Sequence, residues 1–356
     1  MQRLRQDASI PSWNSDELDS PVSPHIESAY FDKDLDAWVL SRYEDVLAAF
    51  RSSGLTVDGK RPRSDEDDKA MDKMRAETRD ALSPTQLRAW SEAMTPLIQA
   101  RAEGLPEDGP IDLLDSYIRP NCLDLAVLAT GVDPQEAERL RTLAEPVSAA
   151  AAEPYDPVFR AEARVVTPEL RGCFHSKVET LRDSGFVALS HTLPCMLANA
   201  CYALLQSPQQ WTLLHAESGL IELAIEELMR HAGLTRFARR QATKDLTLGG
   251  APIRQGDRLI LRIIAANHDP DRFTQPSELD VCRREAGHLA LGAGAHACVG
   301  ASLLRMASIA ILRPLVELFA SASLTAPVIW HGGSGFRSPK HLPVVLRRDA
   351  VAQSVA

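Results

Sequence analysis

The stretch FVALSHTLPCMLANACYALLQ, residues 186–206, is apolar nearly all the way round when read at helical period. In a water-borne chain such a segment reads as a helix threaded through the core, so other helices must surround it. Shorter helical patterns supply that surround, at about 85–103, 111–130, 134–145 and 219–231, with a last helix beginning just after Gly300. SPQQW gives the helix after the core segment a capping Ser207 and a first-turn Pro208. Strand texture is confined to Trp38–Leu40, to the turns of DLTLGGAPIRQGDRLILRIIAAN and to a tail over about 326–348. The charged segment up to about Lys69 reads as a solvated loop. EPVSAAAAEPYDP, residues 145–157, reads as a junction because of its two Glu-Pro pairs. The expected fold class is mainly α with small β-sheets (α+β), as one large domain over residues 1–356, with no internal repeat.

A net charge of −9 and a pI near 5.6 argue against a nucleic-acid partner, which needs a basic face. No leader-type apolar segment opens the sequence, and no run of about 18 apolar residues is read as a membrane span, so the expected compartment is the cytoplasm. The six cysteines, Cys122, Cys173, Cys195, Cys201, Cys282 and Cys298, include no CxxC pair and no zinc spacing, and any haem would be held without covalent attachment.

One cysteine stands apart. GAGAHACVG, residues 292–300, rings Cys298 with Gly292, Gly294 and Gly300. Glycine permits positive φ and close backbone approach. The stretch therefore reads either as a buried free cysteine in a tight turn or as a thiolate offered to a flat, bulky ligand. Cys298 precedes a helix, whose N-terminus would lower the thiol pKa. His296 could reach an anionic group on such a ligand. EELMR places Glu227 and Arg230 one helical turn apart, on one face.

In this order and spacing, ExxR on a helix, then AANHDP (265–270), then HLALGAGAHACVG (288–300) opening a helix, the chain resembles the cytochrome P450 family. WVLSRYEDVLAAFR, IDLLDSYIRPNCLDLAVLATGVDPQEAERL and NACYALLQSPQQW extend the resemblance over most of the sequence. It implies the cytochrome P450 fold and haem b, with Cys298 as axial thiolate pushing electron density onto iron to favour O–O cleavage. It also implies a buried Glu227–Arg230 pair that fixes the cysteine loop, and propionate partners at His296, Arg240 in RQATKD, and Arg75. The family's usual histidine four residues before that arginine is Met71 here, and its phenylalanine seven residues before the cysteine is Leu291. Where an arginine usually completes the ion pair stands Glu278, so Arg272 or Arg283 substitutes or the pair stands alone.

Over the haem the family carries an acid–alcohol pair that relays protons. ALSHTLP, residues 188–194, keeps the alcohol as Thr192, puts His191 for the acid, Leu189 for glycine and Leu193 for the second alcohol, and adds Pro194, which should kink the helix. His191 could shuttle protons near neutrality, or simply pack between helices. The chain is short for the family at 54–70 and at about 145–186, where lid elements are built, so an open pocket is expected. Leu189, Leu234, Thr235, Phe237 and the turn Gly333–Phe336 are its lining by position.

The implied function is a haem-thiolate oxygenase acting on a specialised-metabolite small molecule, either free or tethered to a carrier protein. Its electrons would come from separate ferredoxin-type partners. One alternative is chemistry without the usual relay, such as peroxide use, N–O cleavage, dehydration or cyclisation. Another is a non-catalytic docking module.

Overall fold

The computed structural model describes residues 28–57, 64–153, 156–174, 181–331 and 335–349, without the side chains of Asp65, Asp183 and His296. In chain order the elements are β1 Tyr30–Asp32, β2 Ala37–Leu40, α1 Tyr43–Arg51, β3 Leu55–Val57, α2 Asp65–Ala81, α3 Pro84–Glu103 and β4 Ile111–Asp112. A π-helical segment Leu114–Ile118 leads into α4 Arg119–Thr130, followed by α5 Ala137–Ala152 and α6 Pro157–Gly172. The core helix comes in three pieces: α7 Asp183–Val187, a π-helical turn Ala188–Thr192, and α8 Leu193–Gln206. Then come α9 Pro208–Ala216, α10 Ile221–His231, β5 Phe237–Ala242, β6 Leu246–Leu248, β7 Ala251–Ile253, β8 Arg258–Arg262 and α11 Ile263–Asn267. The chain closes with α12 Ala301–Leu318, β9 Ser321–Leu324 and β10 Pro343–Arg347.

Strands form a five-stranded sheet in the order β1-β2-β8-β5-β3, a three-stranded sheet β4-β10-β9 and the hairpin β6-β7. In the largest, only β2 and β8 run parallel, with Trp38 opposite Leu259; the other pairs are antiparallel. Gly249 and Gly250, both at positive φ, make the expected Gly-Gly turn of the hairpin.

The apolar segment is, as its composition requires, the centre of the main hydrophobic cluster, where Leu189, Leu193, Leu197 and Leu204 meet Leu114, Ile118, Leu125, Leu303 and Ile311. Ser184–Gln206 is long and apolar enough to cross a membrane, which the sequence reading had denied to every segment, but most of it is buried inside the fold. A second cluster sits between α1 and the large sheet, around Val46, Phe50, Leu259, Leu261 and Phe273.

Four expectations change. Helix α2 starts at Asp65, not after Lys69, because Ser64 and Asp67 form a reciprocal capping box. The acids read as a loop are its first turn, where the helix dipole favours negative charge. Helix α5 runs on through Pro146 to Ala152, since an alanine-rich turn restores the propensity that one proline removes. Ser207 begins α9 without a side-chain cap. The region from 111 opens as strand β4 and a π segment before α4, where a continuous helix was expected.

Candidate active site

The ExxR pair is buried as expected. Arg230 donates to both carboxylate oxygens of Glu227 at 2.7 and 2.9 Å, and both side chains are 1% exposed. Arg283 supplies the completing cation at 3.1 Å from Glu227, which decides among the three alternatives. Arg272 instead lies over the rings of Tyr43 and Phe273, and Glu278 contributes only its carbonyl. The Asp280 N–H donates to Glu227, and Arg230 donates to the carbonyls of Asn267 and Pro276. The cluster thus pins the meander before the cysteine loop to α10. Burial opposes ionisation of Glu227, yet Arg230, the Asp280 N–H and Arg283 hold its pKa below the usual value.

The loop itself closes on a hydrogen bond from the Cys298 N–H to the Leu291 carbonyl, 2.8 Å. Its three glycines serve three purposes. Gly292, at φ 70°, turns the chain back, its N–H donating to Leu289. Gly294, at φ 63°, lies where a Cβ would sit 2.8 Å from the Phe50 carbonyl, so its close neighbour is the end of α1. At Gly300, which precedes α12, a Cβ would meet nothing within 4 Å.

Cys298 is exposed, which removes the reading of a buried structural thiol. The expected lowering of its pKa is not found. Protein packed against the sulfur raises the pKa, outweighing the Gly300 N–H, Arg305 and Arg75, all of which lower it.

Arg75 reaches from α2 to donate to the Ala295 and Ala297 carbonyls at 2.7 and 2.8 Å, and its buried Nε has no hydrogen-bond partner. Arg240 is buried in β5, its guanidinium over the Phe50 ring and donating to the Arg239 carbonyl. The backbone of His296 lies in a one-turn helix, Gly294–His296; its side chain falls outside the described residues. An exposed cysteine, open space at Gly300 and a cationic side chain with an orphaned buried N–H suit a flat group bearing a metal and carboxylates. The residues present fit a haem.

The core helix unwinds into its π turn, ending at half-buried Thr192, with Pro194 in the first turn of α8. π turns in α-helices are frequent at functional sites. Ser190 donates to the Phe186 carbonyl at 2.7 Å, so its one proton is spent and Nδ1 of His191 takes the donor role toward it at 2.9 Å. His191 Nε2 is buried with no hydrogen-bond partner. Burial, then the charges of Arg141 and Arg119, lower its pKa to about 4, opposed only in part by the Arg141 backbone carbonyl, which favours the protonated ring. The expectation of an imidazole titrating near neutrality is therefore corrected: His191 is neutral there.

Among the expected lining residues, Leu189 is packed in the main core. Leu234 and Thr235 are tied to the C-terminal segment, the Leu234 carbonyl accepting from Arg337 and Thr235 bridging Phe336. Phe237 packs with Ala37, Val39 and Ile260 in a satellite cluster of the sheet. Gly333 falls outside the described residues.

Sequence reasoning missed one group behind the cysteine loop. Glu226, beside Glu227, accepts from Arg305 of α12 at 2.5 and 2.9 Å and pairs with His288 at 3.3 Å. Burial would raise its pKa, but these two partners bring it down to about 2. The only signal was the doubled acid of EELMR.

Residues 216–327, which hold both Glu227–Arg230 and the cysteine loop, match the family model described as Cytochrome P450. Nocardicin C N-oxygenase of Nocardia uniformis subsp. tsuyamanensis is 39% identical over 153 residues, 41% of this chain and 38% of that protein. The match thus spans well under half of that relative's length. The crystal structure of P450BioI, in complex with an acyl carrier protein ligated to hexadec-9Z-enoic acid, superposes with a TM-score of 0.82 at 20% identity, covering 93% of this chain and all of that one. The LnmA cytochrome P450 hydroxylase from the leinamycin biosynthetic pathway of Streptomyces atroolivaceus superposes at 0.73 with 25% identity, covering 87% and 90%. By its buried ion-pair cluster, its cysteine loop and these likenesses, the chain has the cytochrome P450 fold, and its residues 216–327 carry the match to the cytochrome P450 family.

Proposed function

We propose that the protein is a haem-thiolate oxygenase that places one atom of O2 in a small specialised-metabolite substrate and releases the other as water. Two electrons would come from NAD(P)H by way of a separate ferredoxin-type protein. The observation that carries this reading is the exposed Cys298 in a loop closed at Leu291 and backed by the buried Glu227–Arg230–Arg283 cluster. Haem b held there would supply the redox and oxygen-activating chemistry. Cys298 would be its sulfur ligand; Arg75 and Arg240, with His296 by the family resemblance, would hold its carboxylates; Gly292 and Gly294 shape the loop, and Gly300 adds no side chain there. The names of the relatives support a natural-product substrate, and the carrier-bound neighbour supports a tethered one. A cytoplasmic location goes with this reading.

The test is the ferrous–CO spectrum of the purified protein. A red-shifted thiolate band that Cys298→Ser abolishes is expected; a wild type that never binds haem, or a band that survives the substitution, refutes the assignment. Spin-shift titration with free and carrier-tethered candidates then sorts substrates.

A second reading rests on His191. A buried imidazole held neutral to about pH 4 is a poor proton donor, which favours chemistry independent of the relay: peroxide use, N–O cleavage, dehydration or ring closure. If His191 and Thr192 do relay protons, His191→Ala cuts donor-supported turnover strongly and leaves haem content intact. If they do not, the variant keeps its activity, including with peroxide and no electron donor.

A further inference from the structure

Helix α6 presents a face that the site does not use. Val158 is 58% and Val165 79% exposed, and Val165 is the most exposed of the large hydrophobic residues described. Ala161, Pro168 and Gly172 are exposed too, while Ala163 and Leu170 on the opposite side are buried. The helix runs unbroken through Pro168 to Gly172.

The exposed apolar positions 158, 161, 165, 168 and 172 alternate steps of three and four, the a and d spacing of a heptad. On that numbering Glu162 and Glu169 fall at e, and Arg164 and Arg171 at g. In parallel helix pairs, a g residue faces the e residue five positions on in the other helix. Arg164 would then face Glu169 of the partner subunit. Antiparallel pairing would set arginine against arginine and glutamate against glutamate. The face is thus complementary to itself in one orientation only.

We propose that α6 is a self-association surface through which two copies of this chain pair, helices parallel, with Val158 and Val165 each meeting its own counterpart across a two-fold axis. Glu169 lies 3.5 Å from Arg139 of its own chain, between exposed side chains, so an exposed contact of little energy is traded for one flanking an apolar seam. A 16-residue helix is only about 24 Å long. A seam of that length falls below the roughly 1,200–2,000 Å² of standard stable interfaces, so the dimer forms with rising concentration.

The test is sedimentation of the full-length, haem-loaded protein over a concentration series. Expected is a monomer–dimer equilibrium whose Kd rises about tenfold or more in Val165→Asp and in Arg164→Glu. It should return toward wild type in the charge-exchanged Arg164→Glu/Glu169→Arg. Haem content and circular dichroism should not change, because these side chains are exposed. Val165→Cys should give a disulfide-linked dimer on mild oxidation beyond any formed by the native cysteines. A wild type monomeric throughout, a dimer indifferent to Val165→Asp, or a charge exchange that fails to restore pairing overturns the proposal. So does the same face binding an acidic carrier protein without self-association.

Discussion

Replacing Gly294 with alanine and, separately, Gly300 with alanine would show what the glycines around Cys298 are for. At Gly294 two penalties combine. The backbone sits at φ 63°, which costs a residue with a Cβ about 1–2 kcal/mol. The new methyl would also lie 2.8 Å from the Phe50 carbonyl, 3.3 Å from the Arg51 Cα and 3.4 Å from the Phe50 carbonyl carbon. These are backbone atoms of α1 and cannot rotate aside, so overpacking adds about 1–3 kcal/mol. The expected loss is about 2–5 kcal/mol, read as a lowered urea midpoint at constant slope. Gly300 lies at φ −91° with nothing within 4 Å of a Cβ. Its alanine variant should stay within about 1 kcal/mol of wild type, the cost of a poorer helix cap. If a flat group uses that open space, Gly300→Ala should still weaken haem retention. A Gly294→Ala protein of undiminished stability, or one no worse than Gly300→Ala, would refute the reasoning.

Glu227→Ala strands Arg230 and Arg283 in a buried site and should cost roughly 3–5 kcal/mol, giving misfolded or haem-free protein; a soluble variant with full haem occupancy contradicts this. His191 and His268, both lowered to about 4 chiefly by burial, take up protons less readily folded than unfolded. Stability should therefore fall as pH drops from about 6.5 to 4, and His268→Asn should remove up to one proton from that slope in denaturation at several pH values. Glu226, held at about 2, contributes stability that is complete above about 4.5 and lost as pH falls toward 2. Arg305→Met should shift that acid transition upward.

Much of this could be read from sequence because its causes are local. The all-round apolarity of 186–206, the Gly-Gly turn and the spacing of Glu227, Arg230 and Cys298 need no distant partner to interpret. The capping box at Ser64 and Asp67 was equally local; the acidic run after it hid the helix by suggesting solvent. Which arginine completes the Glu227 cluster was not legible, because Arg272 and Arg283 differ only in where the meander carries them. The same holds for His191: its proton affinity is lowered first by burial and then by Arg141 and Arg119, about fifty and seventy residues earlier. A sequence offers histidine chemistry but not the neighbours that suppress it.

One of those neighbours sits on a helix packed against the π turn. Arg141 is carried on α5, which packs along α6 and against the π turn. The basicity of His191 is thus tied to the packing of α5. Packed as it is, α5 both keeps water from the imidazole and stands a guanidinium near it, so two of the effects that lower the proton affinity of His191 come from one helix.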